Sequence, residues 1–189
     1  MGATLRKSVN RPIQSIEHVR DVLSVSDLND LCDATDSAIE NGGGFGWVDL
    51  PDRDTLERYW QGVVAMPSRL LFLARQDGVI CGSAQLIFTQ KNNQAQANVA
   101  TLTSLFITPW ARQDGLATRL LTYIENIAQN EAIDVLNLDI RETQVSAIKL
   151  YESAGFIKIG EHPYYAKVND EHIKGLYYYK VLKNETPSS

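Results

Sequence analysis

The run Leu102–Leu121 holds the residue types and spacing best suited to chemistry. Its first half, Leu102-Thr103-Ser104-Leu105-Phe106-Ile107-Thr108, is apolar and β-branched and stops at Pro109, as a strand does. Its continuation has apolar residues at 116, 120, 121, 124, 127 and 128, one face of a helical period. Between the two lies Arg112-Gln113-Asp114-Gly115-Leu116-Ala117-Thr118. A helix begins with backbone N–H groups that have no partner inside it, and the macrodipole adds partial positive charge there. Such an end receives phosphate. Gly115 brings backbone up to an anion with no Cβ in the way, and Ala117 keeps the next turn small. The same segment also suits a plain strand–turn–helix connection.

A second stretch bears on that choice. The strand-like Leu136-Asn137-Leu138-Asp139-Ile140-Arg141 is followed by Thr143-Gln144-Val145-Ser146-Ala147-Ile148-Lys149-Leu150-Tyr151-Glu152-Ser153-Ala154-Gly155-Phe156. Arg-x-x-Gly-x-Ala paired with Ala-Ile-x-Leu-Tyr-x-x-x-Gly-Phe resembles the GNAT superfamily of N-acetyltransferases, over residues 70 to 160. A narrower likeness covers most of the chain. Asn41-Gly42-Gly43-Gly44-Phe45-Gly46-Trp47, Gly82-Ser83-Ala84-Gln85-Leu86, Thr89-Gln90-Lys91-Asn92 and Gly160-Glu161-His162-Pro163-Tyr164-Tyr165 are similar to the tabtoxin-resistance acetyltransferases, as is Tyr177-Tyr178-Tyr179-Lys180-Val181-Leu182.

The resemblance implies acetyl-CoA as acyl donor and a primary amine as acceptor. It assigns the pyrophosphate to Arg112, Gln113, Asp114, Gly115, Leu116, Ala117 and Thr118. Asp114 departs from the pattern, which has glycine or a basic residue there. A carboxylate beside a pyrophosphate is repulsive unless it points away. Leu105, Phe106 and Ile107 are consecutive apolar residues in an otherwise alternating strand, a break consistent with a β-bulge. In the family this strand parts from the next, and the pantetheine arm pairs with exposed backbone as an added strand does. Plain burial of the strand is the other reading.

Tyr151 shares a helix face with Gln144 and Ile148, and the resemblance makes it the acid for the departing thiolate. Reference pKa values of about 10 for tyrosine and about 8.5 for a thiol make that transfer slightly uphill. A core aromatic with a satisfied hydroxyl is the alternative. Gln144 stands where the family usually has asparagine and can make the same amide contact to the donor. The family's usual glutamate falls at about Thr101, which cannot act as a base. Asp139, at the end of the next strand, is the remaining carboxylate for the amine. A salt bridge to Arg141 is its alternative role.

The elements that position these groups follow from periodicity and punctuation. Strands are expected at 13–19, 70–75, 79–88, 98–108, 133–140, 156–167 and 173–182. Helices are expected after an N-cap at Ser26 or Asp27, from Asp54 to before Pro67, from 115 to 130 and from 144 to 153. The glycine run after Ile39 ends the first helix and presents Phe45, Trp47 and Asp49, read as a substrate-side loop or a simple turn. Hairpins followed by strand–helix–strand–helix–strand suit an α/β fold. The resemblance sharpens this to one domain over 1–189, a mixed, mostly antiparallel central sheet with a splayed strand pair and flanking helices. Residues 1–10 and 184–189 are expected to be loose.

Composition bounds the rest. The 189 residues carry a net charge of −5, against the basic surface nucleic acid needs. Cys32 and Cys81 have no paired spacing and read as small apolar residues in a reducing compartment. His18, His162 and His172 lack metal-ligand spacing, so no metal is expected. No signal peptide, myristoylation pattern or spanning run is visible, which points to a cytoplasmic protein with no membrane partner. The expectation is an acetyl-CoA-dependent N-acetyltransferase for a small-molecule amine, whether metabolite, antibiotic or toxin. The alternatives are a protein or peptide N-acetyltransferase, a non-catalytic CoA-binding homologue, or an interaction module. A homodimer is compatible with the sequence.

Overall fold

The computed structural model describes residues 11–42, 45–112 and 114–182. Gly43, Gly44, Gln113 and the termini expected to be loose lie outside the described residues. The elements run β1 (Gln14–Val19), α1 (Val25–Glu40), α2 (Arg53–Ala65), β2 (Arg69–Gln76), β3 (Val79–Phe88), β4 (Val99–Ile107), α3 (Leu116–Asn130), β5 (Val135–Arg141), α4 (Val145–Ser153), β6 (Ile157–Val168) and β7 (Glu171–Val181). One sheet takes the order β1-β2-β3-β4-β5-β7-β6, with β4 and β5 parallel and every other pair antiparallel. No described helix is long and apolar enough to cross a membrane.

Alternation along the strands sorts the core into two layers. Leu71 and Leu73 of β2 face α1 and α2, packing with Leu31, Leu56 and Trp60. Phe72 and Ala74 face the other way, joining Leu120, Ile124 and Ala128 of α3 and Tyr151 of α4. Cys32 and Cys81 are free and buried, and burial pushes both thiols up to about 11. That is the environment of a small apolar residue rather than a nucleophile.

The first helix starts earlier than expected. Ser24, not Ser26 or Asp27, is the N-cap, and its side chain accepts from the Asp27 N–H. The misreading has a local cause. Three of the residues from 24 to 27 are good caps, and only the apolar Val25, which is exposed, separates Ser24 from the others. Helix α2 is capped in the same way by Asp52.

Candidate active site

The site is set by where β4 and β5 stop pairing. Their parallel register runs from Val99↔Val135 to Thr101↔Asn137 and ends there. Beyond Thr101, β4 keeps only β3 as a neighbour, and beyond Asn137, β5 keeps only β7. The cause is a bulge. Ser83 pairs with Phe106 and Gln85 with Thr103, so Ser104 and Leu105 together oppose Ala84. Ser104 has φ +52, a left-handed conformation that is uncommon outside glycine. The extra residue also reverses the strand's parity. Leu102 packs on the α3 side, whereas Phe106, four residues on, packs on the α1–α2 side. This accounts for the run of apolar residues at 105–107.

A cavity of about 730 Å³ opens in the splay. Leu102–Leu105 line one wall and Asp139–Arg141 the other, with Gln144, Ala147 and Tyr151 from the α4 side. Phe45–Val48 and Tyr59 close one flank, and Tyr165–Val168 of β6 the opposite one. Arg141 donates to the carbonyls of Gly42 and Phe45 at 3.4 and 3.3 Å. The Gln144 amide donates to the same Gly42 carbonyl.

Asp139 is exposed at the cavity wall and accepts a hydrogen bond from the Tyr165 hydroxyl. Burial, then that carboxylate, pushes the Tyr165 phenol well above the ordinary tyrosine value. No ion pair joins Asp139 to Arg141, whose guanidinium goes to carbonyls instead. Tyr151 is 5% exposed, its ring packs against Phe156, and its hydroxyl meets no hydrogen-bond partner among the described residues. Burial pushes this phenol well above the ordinary range too.

The expected phosphate loop follows β4. Gly115 is the N-cap of α3 at φ +70, and no side chain caps this helix. A Cβ at Gly115 would meet nothing within 4 Å, so its surface is open. Arg112 Nε donates to the Ile107 carbonyl at 2.9 Å, which ties the loop back to the strand end. Asp114, Gly115 and Thr118 are exposed and Ala117 half-buried, whereas the Leu116 side chain is in the core.

Not every expected residue reaches the cavity. Leu105, Phe45, Trp47, Asp139, Gln144 and Tyr151 line it; Thr101, Asp49, Phe106 and Ile107 do not. Thr101 is still within the paired part of β4, Asp49 is exposed on the loop, and Phe106 and Ile107 are core. Phe45 is itself 7% exposed and stacks among Trp47, Tyr59, Trp60 and Phe106. Gln144 spends its amide on Gly42 rather than holding it open toward a donor. Tyr59, Arg141 and Tyr165 were not foreseen. Pro163, within the Gly160–Tyr165 segment, is the signal for Tyr165. Pairing slips between His162↔Gly175 and Ala166↔Ile173, as a proline within a strand demands.

The described residues thus hold a parallel strand pair splayed at a bulge, a cavity in the gap, and after it a glycine-led helix with no side-chain cap. The family model described as acetyltransferase (GNAT) matches residues 32–156, and the chain belongs to this family. It is 56% identical over 124 residues to the uncharacterized N-acetyltransferase in the hisH-hisA intergenic region of Azospirillum brasilense, covering 66% of this chain and 74% of that one. Among solved structures it resembles an N-acetyltransferase of Staphylococcus aureus Mu50, with TM-score 0.76 and 19% identity over 90% of this chain and 99% of the other. The ribosomal-protein-alanine N-acetyltransferase of Brucella melitensis gives 0.74 and 20% over 89% and 99%. The yncA protein of Salmonella typhimurium, solved with its cofactor acetyl-CoA, gives 0.72 and 15% over 93% and 98%. The protein is therefore an N-acetyltransferase, and acetyl-CoA is the acyl donor of its family.

Proposed function

We propose that this enzyme acetylates the primary amine of a small molecule, with donor and acceptor bound together. The observation that carries the reading is the cavity. Its volume of about 730 Å³ suits a drug-sized ligand, and the Phe45–Val48 loop and the Tyr165–Val168 segment stand on either side of it. A peptide acceptor calls for an open groove in which its backbone can lie.

The residues present fit acetyl-CoA. β4 beyond Thr101 has no partner strand on its β5 side, so its backbone groups there are available to an extended arm. The uncapped first turn of α3 offers N–H groups at an open glycine, for the pyrophosphate. Bound acetyl-CoA supplies a thioester, electrophilic at its carbonyl carbon and able to release a thiolate. Asp139 holds the acceptor's ammonium group and takes its proton, directly or through water, so that the nitrogen lone pair is free to attack. Tyr151 holds the proton that the leaving sulfur requires. Its raised pKa keeps that proton in place at neutral pH and makes its transfer more uphill than the reference values imply.

The test is purified protein with acetyl-CoA, a panel of small amines, and peptides with free N-termini. It is read by free-thiol release and product mass. Acetylation of a small amine in preference to every peptide is expected. Turnover of peptides alone, or CoA binding without turnover of anything, overturns the reading.

A further inference from the structure

Gln85 is 0% exposed, yet it is a polar side chain in the middle of β3. Its Oε1 accepts from Nη1 of Arg69 at 2.6 Å, and its Nε2 donates to the Tyr59 hydroxyl at 2.9 Å. The chemistry of these groups fixes the direction of the chain. A guanidinium has donors only, so the amide atom facing Arg69 is the oxygen. The amide NH₂ is then the atom facing Tyr59, and the Tyr59 oxygen is the acceptor. Its own O–H proton points elsewhere. Its ring neighbours are Phe45, Trp47 and Trp60, at 6.2, 4.9 and 4.9 Å between centroids, and none of their side chains carries an oxygen. No described residue takes that proton, and Tyr59 lines the cavity.

We infer that Tyr59 is a specificity residue whose hydroxyl, aimed by the Arg69–Gln85 relay, donates into the cavity to an oxygen acceptor on the substrate. The amine that this enzyme acetylates therefore carries a second group, a carbonyl or carboxylate oxygen. This rests on the small-molecule reading above and narrows its substrate class. Arg69 and Gln85 are positioning residues: they touch no ligand and act through Tyr59. The positive charge behind the amide polarises each link in the same sense, which favours an electron-rich oxygen at the far end. Burying polar groups is costly unless they are paired, and although Arg69 Nε is buried without a partner, the Tyr59 proton is the unused donor of this chain whose residue lines the cavity.

The experiment compares matched amines under acetyl-CoA turnover: amino acids and amino acid amides against the same amines lacking the carbonyl carbon and oxygen. The wild-type enzyme prefers the oxygen-bearing member of a pair. Tyr59→Phe lowers that preference, measured as the ratio of kcat/KM values, by about tenfold, mostly through KM. Gln85→Glu is the sharper variant. A carboxylate still accepts from Arg69, but it can only accept from Tyr59, so it reverses the relay and withdraws the proton from the cavity. The same loss of preference is expected although Tyr59 is intact, whereas Gln85→Leu tests the mere loss of the polar link. Thermal melting and acetyl-CoA affinity of each variant show whether it is folded. Turnover of small amines with no preference for the oxygen, or a preference that survives Gln85→Glu in a folded protein, overturns this inference and leaves the small-molecule reading standing. Failure to acetylate any small amine overturns both.

Discussion

Among the residues lining the cavity, the Tyr165 hydroxyl of β6 donates a hydrogen bond to Oδ2 of Asp139 in β5, across 26 residues. The ring that carries it is seated on Gly175 of β7. A Cβ there would lie 2.2 Å from Tyr165 Cγ and 2.6 Å from its Cβ. These are the fixed parts of the side chain, so the contact cannot be relieved by a rotamer change at its tip.

Tyr165→Phe should lower kcat/KM for the amine by about tenfold, since a hydrogen bond to a charged group is worth roughly 1.5–3 kcal/mol. Acetyl-CoA affinity should stay within a few-fold. Gly175→Ala should give the same deficit by moving the ring. The double variant should be no worse than the poorer single one, because both act on one contact. Additive losses would mean that Gly175 serves the strand and not the tyrosine.

Tyr151→Phe removes the proposed acid with little change of shape. A loss of about 10² or more in kcat is expected, with the dissociation constant of acetyl-CoA nearly unmoved. Because burial raises the Tyr151 pKa, the phenol stays protonated through the ordinary tyrosine range. The kcat profile should therefore show no alkaline fall from this group below about pH 10. An alkaline limb near pH 8 that vanishes in Tyr151→Phe would contradict that assignment.

The same buried phenols make a stability prediction. Tyr178 is pushed up to about 12, first by burial and then by its hydrogen bond to Glu152. Above about pH 10 the unfolded chain releases these protons while the folded chain keeps them, so the unfolded state binds fewer protons and stability falls with rising pH. Below that value neither state ionises and the contribution is constant. Chemical denaturation should show a loss of up to ~1.4 kcal/mol per pH unit for each of Tyr151 and Tyr178 between pH 10 and 12. Stability that is flat across this window would show that the phenols are accessible.

Much of this architecture was legible because it is written in short-range patterns. The span of β3 matched its expected range, and Gly115 at the head of α3 was visible as a break between a strand and a helical period. The apolar run at 105–107 disclosed a bulge near Ser104, since a parity change leaves two faces apolar in succession. What stayed hidden depends on distant strands meeting. Tyr165 reaches Asp139 only because β6 slips against β7 at Pro163, and no local pattern gives the size of that slip. Arg141 looked like a partner for Asp139 because they share a strand face. The carbonyls of Gly42 and Phe45, almost a hundred positions away in sequence, take it instead. Gln85 stood out only as part of the Gly82–Leu86 likeness, and its burial between Arg69 and Tyr59 needed distant parts of the chain to come together.

Gly115 tests the donor site. Gly115→Ala adds a Cβ into open space at positive φ, so its main cost is about 1–2 kcal/mol of backbone strain. Gly115→Glu adds the same strain plus a negative charge beside the α3 N-terminus. Calorimetric titration with acetyl-CoA should show a modest loss for alanine and a far larger one for glutamate, with the difference shrinking at high salt. Equal affinities for the two folded variants would show that the loop is only a connection.

Asp139 should matter for the amine and not for the donor. It is exposed on the cavity wall, its observed partner is a neutral hydroxyl, and it forms no ion pair with Arg141. Thr101 lies outside the cavity, which leaves Asp139 as the acidic side chain among its lining residues. Asp139→Asn keeps an oxygen to accept from Tyr165 and removes only the charge. Little change in melting temperature is therefore expected, as for an exposed substitution that breaks no buried network. An ammonium acceptor must still lose a proton before it attacks, and the variant has nothing to receive it. The kcat/KM for the amine should fall by about 10², a barrier increase of roughly 2.7 kcal/mol, while acetyl-CoA affinity stays within a few-fold. The deficit should narrow as pH approaches the amine's own pKa, where free amine is abundant without help. A loss that is independent of pH and comes with a large fall in melting temperature would assign Asp139 to holding β6 against β5, and the base would have to be sought elsewhere.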